Sequence, residues 1–367
     1  MTGKLARLAI PAIVVELLIG FLLGNSVLPY EAIAPLSGLT ELGVLALFFQ
    51  VGLEVRGDLL ASRRATVLRL VGLSLIGPLL GYWPLVHGLG MAPAAAVLCL
   101  ACTAATGTGV TLRLLAQRQA IHSPSGRLLV AVSVLDDLPA IGLLSLAVAM
   151  AGSRMAGAGH SQGLAPVLGL VAAFLSDRIA RWWRRRGYPT PASPLAVLIL
   201  LVASAWAGEI SGLTSLLGAL WGGVLLNRLS DKPPQVSEML RLISEVFLPL
   251  YFISVGLRVQ AADLLNPQAW GLSLLLLALA LLSKLVCGFG ISRRDQQLGV
   301  DRWVVIFGLI PRGLPGLVFA TTALTAGVID AQQFSAVVVM VTLTTVVGLL
   351  LLERRLVGLK PAAASSH

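Results

Sequence analysis

Long apolar runs separated by short polar stretches extend through the whole chain. A helix needs about 20 predominantly apolar residues to cross a bilayer, so each run of roughly 17 to 25 such residues is a candidate span. About twelve such runs occur, with centres near residues 18, 47, 76, 102, 139, 170, 200, 220, 250, 279, 313 and 342. The pattern predicts an all-α polytopic membrane protein of about twelve transmembrane helices.

The composition agrees with this prediction and excludes a soluble domain. The 367 residues are 57% hydrophobic and 12% charged, with a mean hydropathy of +0.89, whereas soluble domains carry about 25% charged residues. The 38 glycines and the few aromatic residues favour closely packed helices over an outer-membrane β-barrel. The first apolar run is longer than the apolar region of a signal peptide, so we expect it to be a spanning helix.

The positive charges sort by membrane side. With twelve spans, 23 of the 27 Lys and Arg residues fall in alternate loops, and only Arg154 and Arg258 fall on the opposite side. The two others, Lys284 and Arg312, lie within spans. By the positive-inside rule both termini are predicted to be cytoplasmic. The net charge of +10 therefore indicates a lipid bilayer as the partner rather than nucleic acid.

Two spans are interrupted near mid-membrane. The fourth carries Thr106-Gly-Thr-Gly109, and the eleventh carries Pro311-Arg-Gly-Leu-Pro-Gly316. The breaks follow the starts of the third and tenth spans by similar distances, and those two spans run in opposite directions. This predicts an inverted repeat of two three-helix units, with two broken helices that cross beside a binding site.

Four charged residues within the spans are the candidates for that site. Each costs roughly 2.5 to 3.5 kcal/mol at the membrane centre, so such residues pair with one another or have a function. Asp136 and Asp137 lie in the fifth span, Lys284 in the tenth and Arg312 at the second break. One aspartate is predicted to pair with Lys284 while its neighbour faces the cavity, although a static ion pair that only fixes packing remains an alternative for Asp136.

Neutral oxygens near the breaks complete the candidate site. The hydroxyls of Thr106, Thr108 and Ser133, together with half-helix ends, are predicted to supply an oxygen-rich shell for a hard monovalent cation. Arg312 is predicted to neutralise the C-terminus of a half-helix rather than to contact the substrate. Cys99 and Cys102 have the spacing of a metal or redox pair, but without a second pair they are interpreted as apolar packing residues.

Several motifs together resemble one known family. They are Pro11-Ala-Ile-Val-Val-Glu-Leu17, Leu135-Asp-Asp137, Phe247-Leu-Pro-Leu-Tyr-Phe-Ile-Ser-Val-Gly256, Ser283-Lys284 and Pro311-Arg-Gly313. These are similar to motifs of the bacterial sodium/proton antiporters of the Kef/Nap type, which are monovalent cation:proton antiporters. The resemblance covers essentially the whole chain. One departure is Leu314, where relatives often carry an acidic residue, so no carboxylate is available at that position.

The resemblance implies a mechanism and residue roles. Asp137 would be the ion-binding carboxylate for Na+, with Asp136 as the partner of Lys284, and exchange would be electrogenic. Residues 1–360 would form one transport unit in the bacterial inner (plasma) membrane, followed by a tail at 361–367. Its elevator-like core would comprise about 66–152 and 269–353, and the remaining helices would be a scaffold for a homodimer. No enzyme activity and no cofactor are expected, because Na+ or Li+ and H+ are the substrates.

Three alternatives to this interpretation share some of its features. The nearest is a potassium/proton antiporter of the same family, because sequence does not set ion size. A sodium-coupled organic anion symporter of similar architecture is expected to have a more polar crossover and no buried lysine facing two aspartates. An intramembrane aspartyl protease needs catalytic aspartates on two helices, whereas Asp136 and Asp137 are adjacent on one helix.

Overall fold

The structure is a computed structural model, which describes most residues of the chain. These are residues 12–54, 64–107, 110–111, 114–115, 118, 120, 123–155, 165–187, 193–210, 215–229 and 234–358. They form helices and turns, with no β-strand among them. The helices of eight or more residues in this part of the chain are α1 (Ala12–Gly24), α2 (Ser37–Glu54), α3 (Arg64–Leu79), α4 (Pro93–Ala104), α5 (Pro124–Met155), α6 (Ala165–Arg185), α7 (Pro194–Ile210), α8 (Ser215–Leu229), α9 (Pro234–Leu257), α10 (Pro267–Cys287), α11 (Arg302–Leu309), α12 (Gly313–Thr325) and α13 (Ala331–Gly358).

The predicted fold class is confirmed, and each predicted span centre lies within one of these helices. Within the described residues, six stretches are long and apolar enough by themselves to cross a membrane. They are Tyr30–Gln50, Ala65–Gly88, Glu238–Leu257, Pro267–Gly290, Arg302–Thr325 and Ala331–Val357. The total of twelve spans stays a prediction, because several other helices are shorter than a full crossing.

The helices pack in two groups. Helices α3, α4, α5, α10, α11, α12 and α13 contact one another, and we call them the core group. Helices α1, α2, α6, α7, α8 and α9 also contact one another, and we call them the scaffold group. Helices α5 and α8 meet across the boundary between the groups. The core group contains both interrupted spans, so any site at the breaks is built within that group.

Glycines allow helices of the scaffold group to approach each other closely. A Cβ atom on Gly223 of α8 would lie 2.0 Å from the carbonyl oxygen of Phe49 and 3.0 Å from the Cα of Gly52, both on α2. Helices α1 and α9 meet in the same way, because a Cβ on Gly20 would lie 3.0 Å from the Cα of Gly256. Small residues at helix contacts are typical of membrane bundles, where close backbone packing replaces the hydrophobic effect as the driving force.

The second break is shorter than the sequence predicts. Helix α11 ends at Leu309 and α12 begins at Gly313, so Pro315 and Gly316 lie in the first turn of α12 instead of in the break. The reason is that the first amide groups of a helix have no carbonyl partner within it, so a proline there removes no hydrogen bond. At the first break, α4 ends at Ala104 and Ala105 to Gly107 are not helical.

An acidic cap fixes the start of α11. The side chain of Asp301 accepts hydrogen bonds from the backbone N–H groups of Trp303 and Val304 and binds Arg355 Nη2 at 2.7 Å. Burial raises the pKa of the Asp301 carboxyl, but the hydrogen bonds from Arg355 and from the Val304 amide outweigh burial, so the net pKa is lowered. Because Arg355 belongs to α13, this cap ties the first half of the broken span to the last helix.

Candidate functional site

The two breaks cross each other inside the core group. The backbone N–H of Gly107 in the first break donates to the carbonyl oxygen of Pro311 in the second, at 2.5 Å. Gly313 has φ +46°, and a Cβ on Gly107 would lie 2.8 Å from the Gly313 nitrogen. Glycine is therefore required at both positions, because a side chain at either one would push the two breaks apart. The crossing satisfies backbone groups that the breaks would otherwise leave unpaired in the membrane.

Arg312 joins the crossing to the end of a half-helix. Its fully buried guanidinium donates to the carbonyl oxygens of Ala104 at 3.2 Å and Ala105 at 2.7 Å, where α4 ends. It also donates to Ala280 O at 2.9 Å and to Ser283 Oγ at 3.3 Å, both on α10. The C-terminus of a helix carries partial negative charge and unpaired carbonyls, so a cation placed there is stabilised. The structure thus places Arg312 in the position expected for neutralising a half-helix C-terminus.

Lys284 lies beside Arg312 with every N–H group directed at an acceptor. Its side chain is fully buried, and it belongs to the last turn of α10 rather than to the middle of that helix. The Nζ atom donates to Asp136 Oδ2 at 2.8 Å, to Ala104 O at 3.2 Å and to Ser74 Oγ. An ammonium has three donors, so its hydrogen-bonding capacity is filled by α3, α4 and α5.

Asp136 supplies the negative charge that compensates Lys284. Its side chain is 1% exposed, and Oδ2 also accepts a hydrogen bond from Thr106 Oγ1 at 2.5 Å. Thr106 belongs to the first break, so one carboxylate oxygen connects the crossing, α5 and α10. Breaking such a buried pair by removing one partner typically costs about 3 to 5 kcal/mol, because the other charge is left uncompensated.

The remaining predicted site residues are only partly covered by the description. Ser133 and Asp137 lie in α5, but their side chains are outside the described part of the chain, and Thr108 lies outside the described residues altogether. Positions 133 and 137 are four residues apart, so they share one face of α5, whereas 136 and 137 differ by about 100° around the helix. The structure therefore brings together Thr106, Asp136, Lys284 and Arg312, and places the backbone of Asp137 next to them.

The sequence pattern did not identify Ser74 or three carbonyl groups as parts of the site. Ser74 is fully buried on α3 and binds Lys284, and the carbonyl oxygens of Ala104, Ala105 and Ala280 accept from buried cations. A lone serine in the apolar run from Val71 to Ile76 was a signal of a buried polar contact. The carbonyl groups carry no sequence signal, because every residue has one.

Comparison with known proteins identifies the family. The profile described as "Sodium/hydrogen exchanger, transmembrane" matches residues 1–354. The chain belongs to this family. Among curated relatives, the exchanger is 26% identical to the Na(+)/H(+)-K(+) antiporter GerN of Bacillus cereus over 95% of this chain and 90% of GerN. It is also 26% identical to the high-affinity Na(+)/H(+) antiporter NhaS3 of Synechocystis, over 85% of this chain and 69% of that protein.

A solved structure shares the fold of this exchanger. The sodium proton antiporter MjNhaP1 from Methanocaldococcus jannaschii superposes with a TM-score of 0.66 over 96% of this chain and 92% of that one. The sequence identity is 18%, so this likeness concerns the fold alone. The fold expected from the two broken spans is thereby confirmed.

The crossing of the breaks generates a prediction about Gly107. Replacing Gly107 by Ala should lower the thermal unfolding temperature of the detergent-solubilised exchanger and reduce its transport, because the new methyl group overlaps Arg312 and Gly313 backbone atoms. Overpacking of this kind costs about 1 to 3 kcal/mol. Gly142→Ala in α5 is the matched control, because its Cβ would meet no atom within 4 Å. Equal unfolding temperatures for the two variants would contradict the described crossing.

Proposed function

We propose that this exchanger is a secondary antiporter that exports Na+ or Li+ in exchange for H+ by alternating access, and that exchange is electrogenic. The observation that carries the proposal is the fully buried Asp136–Lys284 pair at the crossing of the two breaks. Ionisable residues this deep in a membrane protein mark ion pathways, and crossed half-helices mark transporter binding sites. The names of the relatives GerN and NhaS3, both Na(+)/H(+) antiporters, support the same substrates.

The charges around the crossing favour a second ionisable carboxylate. Lys284 and Arg312 are two buried cations that share the carbonyl oxygen of Ala104, and Asp136 balances only one of them. Asp137, the next residue of α5, has the charge that completes the balance. We assign Asp137 as the carboxylate that binds either Na+ or a proton, while Asp136 holds Lys284 in place.

Competition between Na+ and H+ for the same carboxylate then couples their transport in opposite directions. Na+ as the substrate is a hard cation that prefers oxygen ligands, and the aspartates with the hydroxyls of Thr106, Thr108 and Ser133 would supply them. A bound Na+ adds one positive charge beside two buried cations, so it favours release of a proton, and protonation in turn favours release of Na+. A carboxylate that binds one ion at a time couples one Na+ to one H+, and a second proton, carried in each cycle by Lys284 or Asp136, makes the proposed exchange electrogenic.

The two helix groups support the predicted division of labour. We propose that the core group moves as the transporting unit and that the scaffold group stays in place and forms the homodimer. The crossing, both buried cations and Asp136 all belong to the core group, so they can move together without breaking the site. Helix α7 of the scaffold group exposes a row of large apolar side chains, namely Leu195, Ile199, Val202, Trp206 and Ile210, which suits lipid or a second copy.

Orientation and compartment follow from the loop charges. We propose a bacterial plasma membrane protein with both termini cytoplasmic, because the basic loops alternate along the chain. The transport is proposed to need no cofactor and no chemical catalysis.

K+ is the second candidate cation, because the relative GerN is named as a Na(+)/H(+)-K(+) antiporter. Competition of K+ with Na+ during proton flux into vesicles distinguishes the two.

The assignment of Asp137 predicts a loss of exchange. Asp137→Asn should abolish Na+-driven proton movement in proteoliposomes. The reason is that an amide neither binds a proton near neutral pH nor offers a negative charge to Na+. Asp330→Asn is the matched control: this exposed residue binds the backbone N–H of Gln333, which asparagine can also do. If Asp137→Asn exchanged Na+ as well as the parent, the assignment would be wrong.

The Asp136–Lys284 pair predicts a change in charge movement. Lys284→Gln should reduce the charge moved per Na+ under an imposed membrane potential, because glutamine cannot bind and release a proton, which leaves one H+ exchanged for each Na+. Asp136→Asn combined with Lys284→Gln keeps the site neutral, so it separates this effect from the instability of an unpaired aspartate. Arg241→Gln is the control, because it breaks only the exposed pair with Glu245 at 3.2 Å. Unchanged charge movement in both Lys284 variants would remove Lys284 from the electrogenic step.

A further inference from the structure

Helix α12 of the core group is joined to the C-terminal part of α9 in the scaffold group by two side-chain hydrogen bonds, one from Tyr251 of α9 and one from Arg258, the residue that follows α9. The Tyr251 hydroxyl donates to Thr321 Oγ1 at 3.0 Å, and Arg258 Nη1 donates to Thr325 Oγ1 at 3.4 Å. The two contacts occur in the same order along both segments, so α9 and α12 run in the same direction. These bonds therefore cross the boundary along which the groups must move for transport.

The two threonines of α12 are equivalent acceptors. Thr321 Oγ1 donates its own proton to the carbonyl oxygen of Leu317 at 2.9 Å, and Thr325 Oγ1 donates to the carbonyl oxygen of Thr321 at 3.0 Å. Each hydroxyl proton is thus held within α12, which leaves the oxygen free to accept. Four residues separate the two oxygens, so α12 presents two similar acceptors about 6 Å apart along its axis.

The two donors, Tyr251 and Arg258, differ in how much they depend on α12. Tyr251 is 3% exposed, so its hydroxyl needs a hydrogen-bond partner in every stable state. Arg258 has another partner, because its guanidinium lies 4.0 Å from the centre of the Tyr30 ring and donates to the Tyr30 hydroxyl. Arg258 can therefore release Thr325, whereas Tyr251 can release Thr321 only if another acceptor replaces it.

We propose that Tyr251, Thr321 and Thr325 form a one-turn ratchet between the two helix groups. In the second state α12 is displaced by one helical turn, about 6 Å, toward the N-terminal end of α9. The Tyr251 hydroxyl then binds Thr325 in place of Thr321. This inference rests on the proposed function, because it assigns the step size and the positioning residues of its helix movement.

The direction and the size of the step follow from the same contacts. A displacement the other way would bring Leu317 level with Tyr251, and leucine offers no side-chain acceptor. A displacement of half a turn would place the Tyr251 hydroxyl between the two threonines without a partner. Unpaired buried hydroxyls are strongly disfavoured, so the two bonded positions are separated by an unfavourable one. Packed interfaces of this kind switch between discrete arrangements.

Cysteine cross-linking tests the ratchet directly. In a protein with Cys99, Cys102 and Cys287 replaced by Ala, Tyr251→Cys is combined with Thr321→Cys or with Thr325→Cys. The tyrosine hydroxyl lies far from its own Cα, so a short bifunctional methanethiosulfonate reagent is used to span the gap instead of a direct disulfide. Both pairs should be bridged by the reagent, and each bridge should stop exchange until it is reduced. Tyr251→Cys with Thr322→Cys is the matched control, because residue 322 lies about 100° further around α12.

Two cross-linking results would overturn the proposal. One is bridging of the 251–321 pair while the 251–325 pair reacts no more than the control. The other is cross-linking of Arg258→Cys with Thr321→Cys, which reports displacement in the opposite direction. Cross-linking does not require transport, so a parent protein without Na+/H+ exchange would contradict the proposed function and leave the ratchet to be decided by these pairs.

Valine variants test the ratchet without cysteines. Thr321→Val removes the Tyr251 bond from the present state. Thr325→Val removes the Tyr251 bond from the displaced state, and from the present state it removes only the exposed Arg258 bond at 3.4 Å, for which the Tyr30 hydroxyl is the alternative partner. The apparent KM for Na+ at one membrane face should therefore shift in opposite directions, by up to about threefold, the effect of one interhelical hydrogen bond in a membrane. Thr322→Val should leave it unchanged. Shifts of the same sign, or none, in the two threonine variants would show a merely structural contact and overturn the ratchet.

Discussion

The site depends on compensation of a positive charge that is fully removed from water. Lys284 is stable in this position because Asp136, Ser74 and the end of α4 accept all three of its hydrogen bonds. Each acceptor belongs to a different helix, so the ammonium fixes how α3, α4 and α5 meet α10. The charge that would carry the ion exchange therefore also determines the packing of the core group.

The crossed breaks extend this constraint to the backbone. Both buried cations donate to the carbonyl oxygen of Ala104, at 3.2 Å each, so the buried C-terminal end of the α4 dipole acts as a shared counter-charge. Glycines at 107 and 313 let the second break come close enough to the first for Arg312 to reach the end of α4. The site is assembled within one helix group, as the proposed movement of that group requires, and the proposed ratchet at Tyr251 would set the positions at which it stops.

The sequence predicted the architecture better than the details of the site. Apolar run length and loop charge located the helices, and glycine and proline located both breaks, because these signals are local. The pairing of a lysine with one of two adjacent aspartates was predicted from the free-energy cost of unpaired charges in a membrane. Spacing alone did not decide which aspartate the lysine contacts. Ser74 and the Ala104 carbonyl could not be identified as partners, because their role depends on which helices meet in space. The start of α12 was misjudged because Pro315 looks like a helix breaker in sequence but is harmless in a first turn.

The central claim is that the charges at the crossing exchange a monovalent cation for protons. The most direct measurement is proton flux into proteoliposomes of the unaltered protein when Na+, Li+ or K+ is added, across the neutral to alkaline pH range and with and without an imposed membrane potential. The account predicts proton movement that Na+ or Li+ drives and that the potential accelerates or slows. Proton movement that is absent with all three cations, or identical with and without each of them, would contradict it.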